Sequence, residues 1–275
     1  MHSYKIFPLT FCLLVLLVFS CDKPQKNNDK IQNAEPEETI KSKSNTKNLN
    51  YKLEVIDKKD KPCINNECAR VKVQYPIFDS EIPNNKTINK IIDQKISKSL
   101  SDFVMDTKSA NGIHEIIDAF IAGYRDFKSN FPEVSTPWFM EIDARPTYQS
   151  MDFISMRFDL NRYTGGAHNN SERIYININS RGKEIEKWSY FFRDKVRILE
   201  LAEATFRKDQ GLTSDQSLSA AGFLFSDDKF TLSDNFGFED KGLIIYYNSY
   251  EIVDNSKGPS EIFIPFSALK DNFRF

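Results

Sequence analysis

Two stretches of the chain repeat apolar residues at the spacing of an α-helix. Residues 87–104 carry the first stretch and residues 112–129 the second. Side chains at positions i, i+3, i+4 and i+7 share one helix face, so each stretch predicts an amphipathic helix. Asn85 or Thr87 is the predicted N-cap of the first helix. The apolar positions are Ile88, Ile91, Ile92, Ile96, Leu100 and Phe103, then Ile113, Ile116, Ile117, Phe120, Ile121, Tyr124 and Phe127.

Elsewhere the apolar period is two, which is the period of a β-strand. Residues 51–57 and 69–75 predict a hairpin, residues 77–84 predict a loop, and residues 138–145 predict a further strand. Two cleaner alternations follow, at Ile154, Met156, Phe158 and Leu160, and at Ile174, Ile176 and Ile178. Such alternation gives one buried and one solvated face, as in an antiparallel sheet.

The last third of the chain predicts short helices and strands. Residues 195–207 predict a helix, and a turn containing Glu239 and Asp240 separates two strands of a hairpin. Turn chemistry accounts for this acidic pair without a glycosidase role. The strands of this part are 235–238, 242–247 and 261–265, followed by a helical turn over 267–272. The predicted class is α+β: an N-terminal hairpin and two helices packed with an antiparallel β-meander and a C-terminal helix-plus-hairpin module.

Residues 1–20 predict a secretory signal peptide. Lys5 precedes an apolar run of about 14 residues, whereas a membrane-spanning helix needs roughly 20. The run closes with Val18-Phe19-Ser20-Cys21, which resembles a bacterial lipoprotein signal with Cys21 as the lipidated first residue. Lipoprotein signals usually carry a smaller residue at the place of Phe19. Cleavage by ordinary signal peptidase, with Cys21 as an incidental thiol, is therefore the alternative.

Residues 21–50 predict a disordered tether. Their few apolar side chains cannot offset the entropy lost when a backbone is ordered. A flexible coil of about 29 residues spans roughly 30 Å. The predicted location is therefore the bacterial cell envelope, with a lipid anchor in the membrane and a globular part outside the cytoplasm, at the outer membrane or the periplasmic face.

Charge and composition limit the classes of partner and cofactor that are expected. The chain has 37 Lys and Arg against 39 Asp and Glu, and removal of residues 1–20 takes away only Lys5. Nucleic-acid-binding domains usually carry a basic surplus, so nucleic acid is not an expected partner. Three histidines and four cysteines leave little material for a transition-metal site, and no cofactor is expected.

Cys63 and Cys68 are spaced C-x4-C between two strand-like segments. In an oxidising compartment this spacing favours a disulfide across the mouth of a hairpin, worth about 2 kcal/mol for so short a loop. A thiol redox site is the alternative, but its usual spacing is C-x-x-C.

A run of motifs in the C-terminal half resembles a known family. The motifs, in order, are Tyr163-Thr164-Gly165-Gly166-Ala167-His168-Asn169-Asn170, Tyr175–Asn179, Trp188–Phe192, Gly242–Asn248, Tyr250-Glu251-Ile252 and Ile262-Phe263-Ile264-Pro265. They resemble the domain of unknown function shared by PdaC-type peptidoglycan deacetylases and RsiV-type lysozyme-binding anti-sigma factors. Tyr75-Pro76 and the segment 85–92 resemble the PdaC-like N-terminal module of those proteins. The resemblance implies two modules, over 51–150 and 151–275.

The resemblance implies binding rather than catalysis. The deacetylases carry their chemistry on a separate domain with an Asp and His metal set, which nothing in this sequence matches. The anti-sigma factors place a sigma-binding segment before a transmembrane helix, whereas about five residues precede the apolar run here. The part of these proteins that the sequence resembles is the extracytoplasmic module, which in the anti-sigma factors binds lysozyme.

His168 is the most prominent candidate for a site. It is either a ligand contact or general acid–base group, or a structural residue in a turn that Gly165 and Gly166 permit. Asn169 and Asn170 either contact a sugar or protein or belong to a plain polar loop. The remaining candidates are the tyrosines Tyr246, Tyr247 and Tyr250, whose rings suit a binding surface, although alternation places one or more in the core. No catalytic or metal-binding residue is assigned.

These observations favour a membrane-anchored, non-catalytic envelope lipoprotein. Its expected partner is a lysozyme-like protein or peptidoglycan. A hydrolase that acts on envelope glycans through His168 is one alternative, and an assembly factor for other envelope proteins is another.

Overall fold

The computed structural model describes residues 50–63, 67–104, 112–133, 135–253 and 258–275. The predicted signal peptide, the lipidated Cys21 and the tether up to residue 49 lie outside the described residues. Within the described residues, no helix combines the length and the hydropathy that a membrane span requires.

Helices and strands alternate irregularly along the chain. The strands are β1 (Tyr51–Lys59), β2 (Arg70–Phe78), β3 (Phe139–Gln149), β4 (Phe153–Tyr163), β5 (Asn170–Asn179), β6 (Phe236–Glu239), β7 (Gly242–Tyr247) and β8 (Ser260–Pro265). The helices are α1 (Asn85–Ser101), α2 (Ile113–Asn130), α3 (Trp188–Phe191), α4 (Lys195–Asp209) and α5 (Phe266–Leu269), with 3-10 turns at Ser226–Asp228 and Lys270–Asn272. The predicted α+β class is confirmed.

The strands form two sheets. β1 to β5 lie side by side in chain order, and β6 to β8 form a separate three-stranded sheet. All neighbours pair antiparallel except β2 and β3, which pair parallel. A parallel pair needs a long crossover connection, which α1 and α2 supply between β2 and β3. The N-terminal hairpin β1–β2 and the meander β3–β5 are antiparallel as predicted, and the parallel pairing that joins them was not part of the prediction.

The first hydrophobic core lies between the five-stranded sheet and helices α1 and α2. Val73 on β2 and Phe158 on β4 are fully buried against Ile92 of α1 and Ile117 of α2. Both helices turn the predicted apolar stripe toward the sheet. Removing such side chains from water supplies roughly 1.5–3 kcal/mol each, which explains why the two periodic stretches fold as helices on this sheet.

The second core is aromatic and lies between β6–β8, α4 and one end of β4. Trp188 stacks on Phe236 with ring centroids 3.9 Å apart, and Phe191 packs 5.0 Å from Phe238. Phe206 contributes the buried face of α4. The second sheet is thereby packed on the opposite side of the main sheet from α1 and α2.

A buried polar contact joins the two sheets. Ser155 Oγ donates to Asn177 Oδ1 at 2.7 Å and accepts from Phe238 N at 2.8 Å, while Asn177 Nδ2 donates to Phe236 O at 3.0 Å. Strand β6 approaches this closely because Gly237 has no side chain: a Cβ there would lie 2.8 Å from Ser155 Oγ. These directional bonds fix how the second sheet sits on the first.

Helix α1 begins differently from the prediction. Its N-cap is Asn84, with φ 59° and no side-chain capping bond, and Asn85 and Thr87 lie inside the helix. The Asn85 amide donates instead to Phe78 O at 3.3 Å. The predicted caps are therefore wrong: the helix already begins at Asn85, and the Asn85 side-chain amide is hydrogen-bonded to Phe78, the last residue of β2.

Cys63 and Cys68 form the predicted disulfide, with their Cα atoms 5.1 Å apart. The bond lies at the end of the β1–β2 hairpin, where Asp60 N donates to Ala69 O at 2.9 Å. The prediction of a disulfide between these two cysteines is confirmed.

Candidate functional site

The face of the main sheet opposite α1 and α2 carries polar side chains, and the second sheet covers only part of it. Beyond that cover, strands β2 to β5 form the floor of an open basin of about 610 Å³. Because side chains alternate along a strand, Gln74, Asp143, Asp159 and Arg173 all share this face. Tyr246 forms part of the wall.

Asp159 lies at the centre of a charged network on the basin floor. Its carboxylate accepts from Arg173 Nε at 2.7 Å, Arg157 Nε at 2.9 Å and Arg145 Nη2 at 3.3 Å. Arg145 Nη1 also donates to Asp143 at 2.6 Å. The Asp159 carboxylate holds all three guanidinium groups through these hydrogen bonds, so the floor is a preorganised surface rather than a set of free side chains.

The same arginines reach the second sheet. Arg173 Nη1 donates to Glu261 on β8 at 2.9 Å, and Arg157 Nη1 donates to Glu239 at 3.1 Å. Glu239 also accepts from the Tyr175 hydroxyl at 3.0 Å. Glu239 lies at the predicted turn, but its carboxylate additionally joins the two sheets, a role that the turn alone did not indicate.

Asp143 has an unusual environment for a carboxyl group. Burial raises its pKa above the ordinary value, and the carboxylate of Asp159, its direct cross-strand partner, raises it further. Arg157, Lys72 and Gln74 act in the opposite direction without cancelling the shift. A carboxyl with a raised pKa beside a charged one is an arrangement found in acid–base sites.

The loop between β4 and β5 carries the Gly-Gly-Ala-His motif. Gly165 and Gly166 have φ values of 109° and 104°, in the region that favours glycine, as the turn interpretation expected. The Tyr163 hydroxyl donates to Gly166 O at 3.0 Å, and His168 Nδ1 lies 2.9 Å from Asn169 O. The turn thus presents the His168 ring at an exposed position.

Four of the predicted candidates meet around a hollow of about 250 Å³ beside this loop. They are His168, Asn169, Asn170 and Tyr250. Ser171 and Ser249 line both the hollow and the basin, so the two form one continuous surface. Tyr250 is the main exposed aromatic group there, with 59% of its surface accessible.

The other two tyrosines are placed differently. Tyr247 is buried, and its hydroxyl donates to Thr231 O at 2.6 Å. It is a core residue, which corrects its assignment to a binding surface, because β7 is buried on both faces. Tyr246 is also largely buried, but its ring borders the basin and carries the Arg173 guanidinium 4.8 Å above its centre.

The sequence patterns did not predict the charged network on the basin floor. The alternation over residues 154–160 predicts only a solvated strand face for Arg157 and Asp159, although two opposite charges at alternate positions are a signal of pairing on one face. The meeting of Asp143 with Asp159 depends on the register of β3 against β4. No pattern within a single strand indicates that register.

The chemistry of this surface suits recognition of a polar partner. It offers carboxylates, guanidinium groups, amides and an exposed ring, which can bind protein side chains or sugar hydroxyls. In the part of the chain that the structure describes, no three His, Cys, Asp or Glu side chains cluster in a way that could hold a metal ion. The His168 ring contacts the backbone carbonyl of Asn169.

Two family models match the chain in succession. The model described as deacetylase PdaC matches residues 62–171, and that of the DUF3298 family, a protein family of unknown function, matches residues 189–267. No curated protein matches the sequence. The predicted resemblance to a PdaC-like module followed by a domain of unknown function is confirmed.

Solved structures share the fold. A DUF3298 family member from Bacteroides fragilis aligns with a TM-score of 0.61 at 18% identity, over 82% of this chain and 94% of the other. A DUF3298 family protein from Pseudomonas aeruginosa aligns with a TM-score of 0.56 at 15% identity, over the same shares of the two chains. At such identities the likeness concerns the fold alone.

Proposed function

We propose, from the premise that this chain joins a PdaC-like module to a DUF3298 module, that it is a non-catalytic lipoprotein of the bacterial envelope. It binds a lysozyme-like protein or peptidoglycan through the basin and the adjoining His168 hollow. Cys21 carries the lipid, and the segment after it tethers the globular part to the membrane.

One observation carries the proposal: the exposed His168 loop and Tyr250 adjoin the charged basin without a break. A ring that is 59% exposed beside a preorganised polar floor has the composition of a protein-binding or sugar-binding surface. The hollow and the basin together are open enough to receive a side chain or a saccharide unit from a larger partner.

The proposed location in the envelope is supported by the two matched domains, which indicate an envelope-associated protein. The predicted signal and Cys21 support lipid anchoring. The net charge of the mature chain, with 36 basic and 39 acidic residues, gives at most weak steering toward a basic partner such as lysozyme. Affinity must therefore come from local contacts at the basin and the hollow.

The test is a lysozyme turbidity assay on purified cell-wall sacculi with residues 44–275. We expect near-stoichiometric inhibition if the partner is lysozyme-like, or sedimentation of the protein with sacculi if it is peptidoglycan. Tyr250→Asn removes the ring but suits the φ of 71° at this position, and it weakens binding about tenfold or more. Met151→Asn is the matched control, because Met151 is 81% exposed in the turn at the opposite end of β4.

If the protein neither inhibits lysozyme nor sediments with sacculi, the proposed partners are contradicted. Equal loss of binding in Tyr250→Asn and Met151→Asn would instead contradict the proposed surface.

A glycan hydrolase is the second candidate, favoured by the raised pKa of Asp143 beside the Asp159 carboxylate. Clearing of sacculi by the protein alone would establish it. Asp143→Asn and His168→Ala then separate the two candidate acid–base groups, since only the variant that removes the reacting group abolishes clearing while the protein stays folded.

A further inference from the structure

Strand β1 has a free backbone edge in the part of the chain that the structure describes. It is the outermost strand of the main sheet and pairs only with β2 there. Asp79 N donates to Asn50 O at 3.4 Å, and Asp60 N donates to Ala69 O at 2.9 Å. In an antiparallel pair the bonded residues alternate, so the even-numbered residues of β1 bond to β2. The odd-numbered residues therefore direct their N–H and C=O groups outward.

These outward-bonding residues also carry an exposed apolar stripe. Tyr51, Leu53 and Val55 lie on one face of β1 and are 40%, 51% and 48% exposed. The charged residues Lys52 and Glu54 alternate with them on the other face. An exposed edge with apolar side chains is a template for pairing with another strand.

We propose that β1 pairs antiparallel with β1 of a second copy of this chain, about a two-fold axis through Leu53. This register sets Leu53 opposite Leu53 of the second copy and Tyr51 opposite Val55. Lys52 then faces Glu54 twice, once on each side of the axis. The outward backbone groups of residues 51, 53 and 55 form three bonded pairs, about six hydrogen bonds in all.

Charge complementarity selects this register over its neighbours. A shift of the axis to Glu54 sets two Glu54 carboxylates opposite each other, and a shift to Lys52 does the same with two ammonium groups. An axis through Val55 sets Lys52 opposite Lys58 and Leu53 opposite Asp57. Like charges directly opposite destabilise a strand pair, whereas opposite charges and apolar pairs stabilise it.

The inference does not depend on the partner proposed for the basin, because β1 lies at the far edge of the sheet from β5. The result is a continuous sheet across two copies, which leaves both basins open. The contact is small by the standards of stable dimers, so it favours chains that are held at high local concentration.

The first test is disulfide trapping in the full chain at the membrane of an expressing cell. In the proposed register the two Leu53 Cα atoms are about 5.5 Å apart, within the range of a disulfide. Leu53→Cys should give at least tenfold more covalent dimer on a non-reducing gel than Asp57→Cys. Asp57 shares the edge and the face, but its copies lie about 26 Å apart. No dimer from Leu53→Cys, or equal dimer from both variants, would overturn the proposal.

The second test uses charge exchange in the Leu53→Cys background. Lys52→Glu sets carboxylates opposite each other at both places and should lower the trapped dimer severalfold. Adding Glu54→Lys should restore it, because the opposite charges meet again in reversed order. Both positions are exposed, so circular dichroism should report an unchanged monomer fold. This register would be excluded if Lys52→Glu left the amount of trapped dimer unchanged. It would also be excluded if adding Glu54→Lys did not restore the dimer.

Discussion

At the scale of single residues, Asp143 has a measurable electrostatic role. Its pKa is raised by burial and by Asp159, so the folded state holds the proton to higher pH than the unfolded chain does. Well below the unfolded pKa the carboxyl is neutral in both states. Above the folded pKa it is charged in both, and the folded state carries the cost of the buried charge. Stability from this group is therefore present at low pH and lost as pH rises through the folded pKa.

Asp143→Asn should therefore raise the stability of the protein more at pH 7 than at pH 4. The amide oxygen can still accept from Arg145, which now donates at 2.6 Å, so the network geometry is kept. Urea unfolding at the two pH values measures the difference, with Asp240→Asn in an exposed turn as the control for loss of one negative charge. A smaller gain at pH 7 than at pH 4 would show that Asp143 is held mainly as a charged partner of the arginines.

Residue types that act locally could be predicted, and those that act across strands could not. Gly165 and Gly166 can adopt positive φ without a contribution from distant residues, and the Cys63–Cys68 spacing suits the end of a hairpin by itself. The partners of Asp159 come from β3, β4 and β5, and they meet only because the strand registers bring them together. Tyr247 became a core residue for the same kind of reason, since a second layer covers β7.

At the scale of elements, helix α4 has the clearest local signal for its start. Asp194 accepts from Val196 N at 2.8 Å and Arg197 N at 3.2 Å, the arrangement of an N-cap. Asp194→Ala should lower the free energy of unfolding by about 1 kcal/mol. Asp194→Asn should lower it much less, since an amide oxygen caps equally well. Chemical denaturation of both variants provides the measurement, and equal losses would mean that the cap contributes little.

The elements that sequence patterns predicted best are those with a long uninterrupted period. Helices α1 and α2 bury the predicted apolar stripes, and β4 and β5 follow the predicted alternation. The parallel pairing of β2 with β3 was missed because periodicity reports which face of a strand is buried and carries no information on strand direction. The start of α1 was missed because Asn85 bonds the end of β2, a contact between elements.

At the scale of the whole molecule, the two predicted modules, 51–150 and 151–275, share one sheet. The first match ends at residue 171, within β5, and the second begins at residue 189. Most of β5 therefore lies between the two matches while it pairs with β4 of the first. The predicted boundary near residue 150 falls in the turn between β3 and β4, which are neighbours in the same sheet. The described residues from 50 onward belong to one compact unit.

This sharing predicts a single cooperative unfolding transition, because the buried bonds of Ser155 and Asn177 couple the two cores. The chain has two tryptophans, and each reports on a different core: Trp138 packs against the first, and Trp188 lies in the second. In Trp188→Phe the fluorescence follows the first core, and in Trp138→Phe it follows the second. In each variant, fluorescence and far-ultraviolet circular dichroism should give coincident urea transitions.

Because the two probes are compared within one variant, the destabilisation that the substitution itself causes affects both midpoints equally. A fluorescence midpoint clearly separated from the dichroism midpoint in either variant would mean that the two cores unfold independently despite the hydrogen bonds that join the two sheets.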